Sequence, residues 1–77
     1  MKVQAVTTKR NEVHADGCQH MNRIPKSARD NAWPSEGETR EEVVTDLYRY
    51  GFLNNEDFTQ AEAATHLHFA PCTSALA

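Results

Sequence analysis

Two short motifs with the same spacing stand near opposite ends of this 77-residue chain. His14-Ala15-Asp16-Gly17-Cys18 and His68-Phe69-Ala70-Pro71-Cys72 both read H-x3-C, and they hold the only two cysteines. A chain this short buries a small fraction of its surface. With 39% apolar residues and six aromatics, its core needs a staple: a metal, a disulfide or a partner chain. A fold that brings the two motifs together would have one.

His14, Cys18, His68 and Cys72 make a Cys2His2 set, a common composition for structural zinc. Each histidine is expected to end a strand on its polar face, with the cysteine reaching the same ion from the following turn. His20 and His66 are substitute donors. The spacing leaves two other states open. One is a Cys18–Cys72 disulfide, whose long loop would stabilise the fold by ~4 kcal/mol in the chain-entropy model. The other is free thiols packed as small apolar groups, with the histidines on a solvated sheet face.

Along the chain, residues 2–8 are β-branched enough for a strand, Lys9-Arg10-Asn11 fits a turn, and Glu12–Ala15 alternates like the return strand of a hairpin. Asp16 at an N-cap, with Gln19 three residues on, predicts a helix from Gly17 to about Arg23 that Pro25 ends. Cys18 would then lie in a first turn that favours a thiolate. Residues 25–38, with Pro25, Pro34 and Gly37, read as a loop. Trp33 is its one large apolar residue, either a lid on the core or an anchor for a partner.

The best-specified element is a helix from Thr39 to Tyr50. Thr39 and Glu42 have capping-box spacing, and Val43, Val44, Leu47 and Tyr50 form one stripe. Gly51 fits the position after the helix in a Schellman turn, with Phe52 meeting Leu47. Thr59 and Glu62 suggest a second capping box within residues 56–64. Thr65–Phe69 alternates as a last strand, with Leu67 and Phe69 on one face and His66 and His68 on the other. Pro71 follows, where no ladder donor is needed.

These elements predict a single α+β domain over residues 1–77. The hairpin and the C-terminal strand would form a small antiparallel sheet, packed by two or three helices.

Residues 1–29 hold six Lys/Arg against two Asp/Glu, a balance of +4, whereas residues 30–77 hold two against nine, a balance of −7. The net −3 favours a protein partner over nucleic acid. A basic patch of Lys9, Arg10, Arg23, Lys26 and Arg29 supplies the alternative, a nucleic-acid-binding accessory. These five residues and Trp33 are the candidate partner-binding set. A second alternative is a cysteine-dependent enzyme, with Cys18 as nucleophile and His14 as base. A structural Cys–His pair is much the commoner case, and no glycine-rich loop stands near Cys18, so a non-enzymatic protein is expected. Neither a signal peptide nor a membrane-length apolar run is visible, which makes the cytoplasm the expected compartment. Oligomeric state is not legible.

Val13-His14-x3-Cys18 at a helix start, with a closing Phe69-x-Pro71-Cys72, resembles small uncharacterised proteins of actinobacteria and their phages. The resemblance covers about a dozen positions near the two ends. It implies a hairpin, a helix and a terminal strand joined at the two cysteines. It also implies a phage-derived accessory that binds a host component.

Overall fold

The computed structural model describes residues 1–7, 11–52 and 57–77. Strands β1 (Lys2–Val6) and β2 (Glu12–Ala15) form the expected antiparallel hairpin, in which Val3 pairs with Ala15 and Ala5 with Val13. Strand partners share a face. Val3, Ala5 and Val13 therefore point to one side, where they join Val43, Val44, Leu47, Leu67 and Leu76 in the core. Gln4, Val6, Glu12 and His14 point to the other side. Val6 is fully buried there and His14 is 5% exposed, so this face is covered too. Of the turn expected at residues 9–11, only Asn11 is described. Its φ of 50° is left-handed, a conformation asparagine tolerates.

The predicted first helix is replaced. Asp16 and Gly17 form a turn, closed by the Cys18 N–H donating to the Ala15 carbonyl at 3.0 Å, with Gly17 at φ 78°. A left-handed residue does not start a right-handed helix, so a 3-10 helix begins only at Gln19 and runs to Arg23. Asp16 caps nothing; its Oδ1 accepts from the Gln4 side chain at 3.2 Å.

The expected loop at 25–38 is also corrected. It holds a one-turn helix α1 (Lys26–Asp30) and a strand β3 (Trp33–Glu36). Pro34 does not prevent the strand, because β3 pairs only with β1 and lies at the sheet edge. Trp33 is 38% exposed there and meets the Phe52 ring edge-on at 5.8 Å.

Helix α2 (Arg40–Arg49) follows its prediction closely. Thr39 Oγ1 accepts from the Glu42 N–H at 3.1 Å. At the other end Gly51 has φ 84°, its N–H donates to Tyr48, and the Phe52 N–H donates to Leu47. That is the Schellman pattern. Val43, Val44 and Leu47 are buried, but Tyr50 is 67% exposed. The stripe ends because Gly51 turns the chain, and Phe52 packs on the core instead. Helix α3 (Gln60–Thr65) has the full box: the Glu62 N–H donates to Thr59 Oγ1, and the Thr59 N–H donates to Glu62 Oε1, both at 3.2 Å. Residues 57–59 precede the helix, and the expected helical start at Glu56 lies outside the described residues.

The last strand is short, β4 (His68–Phe69), because Thr65 ends α3 and His66 caps it. Its alternation holds, with Leu67 buried and His66 and His68 exposed. It joins the sheet as expected but runs parallel to β2, giving a mixed sheet of order β3-β1-β2-β4. The reason is the connection. Strand β3 already runs in the direction of β2, because both pair antiparallel to β1, and the chain from β3 crosses through α2 and α3 to enter β4 in that same direction.

Both chain ends close on one segment. The Met1 ammonium donates to the Gly37 carbonyl at 2.9 Å, and the Gly37 N–H donates back to Met1 at 3.1 Å. Arg40 N–H donates to Ala77 O, and Ala77 N–H to Glu38 O. No helix among the described residues is long and apolar enough to cross a membrane.

Candidate metal centre

Strand β2 presents His14 on the sheet face opposite the main core, and the Asp16-Gly17 turn swings Cys18 back beside it. From the other end of the chain, β4 leads into a second 3-10 helix, Pro71–Thr73, that carries Cys72. The donor atoms of His14, Cys18 and Cys72 all lie within 4.8 Å of one another, close enough to hold one metal ion. Cys72 Sγ is 3.6 Å from His14 Nδ1 and accepts the Ala15 N–H at 3.2 Å. Both cysteines are free thiols and half-buried.

Burial pushes the Cys72 thiol above its ordinary value. The Ala15 hydrogen bond opposes that rise, and neighbouring Cys18 adds to it. The other ring nitrogen of His14, Nε2, is buried with no hydrogen-bond partner; the nearest charged oxygen is Glu12 Oε1, at 3.8 Å.

His68, the expected fourth ligand, is outside this group and exposed. Register explains it. His68 lies beside Glu12 in the parallel pair, one side-chain row before His14. Two strand residues separate those rows by ~7 Å. The two H-x3-C motifs are therefore not equivalent: the first contributes both residues and the second only its cysteine. Of the substitute donors, His20 is exposed, and His66 packs against Phe58 with ring centres 4.7 Å apart.

Among the candidate partner residues, Lys9 and Arg10 lie outside the described residues. Arg23 is exposed at the end of the first 3-10 helix. Lys26 pairs with Asp30 at 2.8 Å, which offsets its charge. Arg29 is half-buried, and its Nε has no hydrogen-bond partner. Sequence reasoning missed two features. One is Glu12 beside the His14 ring, signalled by its i, i+2 spacing on the strand. The other is an open groove of about 690 Å³ between α2, α3 and β4, walled by Val44, Ala61, Ala64, Leu67 and Phe69. Arg40 lies over the Phe69 ring at its rim, 5.5 Å from the centroid.

No protein-family model, curated protein or solved structure matches the chain.

Proposed function

We propose that this is a small, non-enzymatic cytoplasmic binding protein whose two ends are clasped by a structural zinc ion on His14, Cys18 and Cys72. The observation that carries the clasp is the 3.6 Å separation of Cys72 Sγ and His14 Nδ1. Zinc–sulfur and zinc–nitrogen bonds of about 2.3 and 2.0–2.1 Å, at a tetrahedral angle, put the two donors about 3.6 Å apart. The Ala15 N–H on Cys72 is the kind of outer-shell hydrogen bond that steadies a ligating thiolate.

The partner is a protein. The acidic balance of residues 30–77 and the internal pairing of Lys26 weigh against a nucleic-acid surface. The resemblance to actinobacteriophage proteins supports an accessory acting on a host component.

Zinc content after exhaustive dialysis tests the clasp. One zinc per chain, lost in Cys72→Ser, is the expected result. A metal-free chain lighter by two hydrogens would replace the clasp with a disulfide. DNA or RNA binding that weakens steeply with added salt would move the partner to nucleic acid.

A further inference from the structure

Zinc in proteins is almost always four-coordinate; closed structural sites draw four donors from the chain, and open sites draw three. Among the described residues, His14, Cys18 and Cys72 are the only group of such side chains close enough to share an ion. The remaining histidines are engaged or placed elsewhere. His66 packs on Phe58, and His68 stands one row away beside Glu12. His20 is exposed and lines a cleft with Glu12, His14 and His68, outside the three-donor group. Both cysteines are only half-buried. Two thiolates neutralise a divalent ion and the imidazole is neutral. A three-donor centre of this kind therefore carries no net charge and accepts a further neutral or anionic donor.

We propose that the metal centre keeps its fourth position for a donor from outside the chain, an imidazole or thiolate group. The inference rests on the metal reading above. In the resting state water holds the position. An incoming imidazole gives its lone pair to the metal as the water leaves, and no proton or electron is transferred. An incoming thiol loses its proton to solvent and binds as thiolate.

The test is visible absorption of the full chain loaded with cobalt(II), titrated with free imidazole. The expected result is one cobalt per chain and a saturable change in the d–d bands, with no cobalt released. The same response is expected in the His20→Ala/His68→Ala double variant. Bands that ignore imidazole would identify a fourth donor within the chain and overturn the inference while leaving the metal reading intact. A chain that retains neither cobalt nor zinc would overturn both. Sedimentation of the loaded protein without imidazole identifies the donor's source. A metal-dependent dimer assigns it to a second copy, and a monomer to a free ligand; either supports the outside donor.

Discussion

His14 does most to define the site, because its two ring nitrogens face different surroundings. Nδ1 is turned to Cys72, and Nε2 is buried near Glu12. Metal on Nδ1 would leave the proton on Nε2, and Glu12 Oε1, 3.8 Å away and not hydrogen-bonded to it, would need to move closer to hold that tautomer and the ring. Glu12→Gln is expected to weaken zinc binding by about 10–100-fold without unfolding the chain; competition with a chromophoric chelator measures it, and unchanged affinity would remove Glu12 from the site. Cys72 predicts a pH response of opposite sign with and without metal. The folded metal-free chain holds the Cys72 proton longer than the unfolded chain, whose thiol titrates near 9.0. That contribution to stability is complete below 9.0 and is lost as pH rises through the higher folded value. Zinc binds the thiolate, so zinc affinity should instead rise with pH. Urea midpoints across that range, with chelator and with zinc, check both slopes. His68 marks the limit of sequence reading at this scale: two identical spacings looked equivalent, and only strand register separates them.

Among the elements, the accuracy of the sequence reading follows the range of the interactions that build each one. Helix α2 is specified within a few residues, by Thr39 at its start, Val43, Val44 and Leu47 on one face, and Gly51 after its end. All of these were legible. The α3 capping box was legible for the same reason. The direction of β4 depends on the crossover from β3 through α2 and α3, and β3 depends on an edge beside β1; no local pattern carries either. Thr39→Ala should cost about 1 kcal/mol by removing the cap. Leu47→Ala should cost about 2–5 kcal/mol, because Leu47 is 2% exposed in the centre of the core. Chemical denaturation gives both values. A Thr39→Ala loss matching that of Leu47→Ala would mean that the cap contributes more than its hydrogen bond.

For the whole molecule, closure at the ends is the organising theme. The Cα radius of gyration is 11.5 Å. A compact chain of this length is expected at about 11.5 Å, so the tail is packed rather than trailing. Sequence offered no sign of this: Leu76 sits in an unremarkable tail yet is buried in the core. Gly37 is the tight point of the seam, since a Cβ there would meet Glu42 Cβ at 2.9 Å and Val43 Cγ2 at 3.2 Å. Gly37→Ala should therefore cost about 1–3 kcal/mol by pushing the Met1 and Ala77 anchors off α2. Thermal unfolding measures the loss, and a neutral result would show that the seam yields freely. The second closure, at His14, Cys18 and Cys72, ties β2 to the last turn of the chain. The melting temperature of the zinc-loaded chain before and after chelation tests this closure. A small domain shifts by roughly 4–8 °C per kcal/mol, so loss of a clasp contributing several kcal/mol should lower the midpoint by more than about 10 °C, and zinc should restore it. A midpoint indifferent to both chelator and zinc would contradict the clasp.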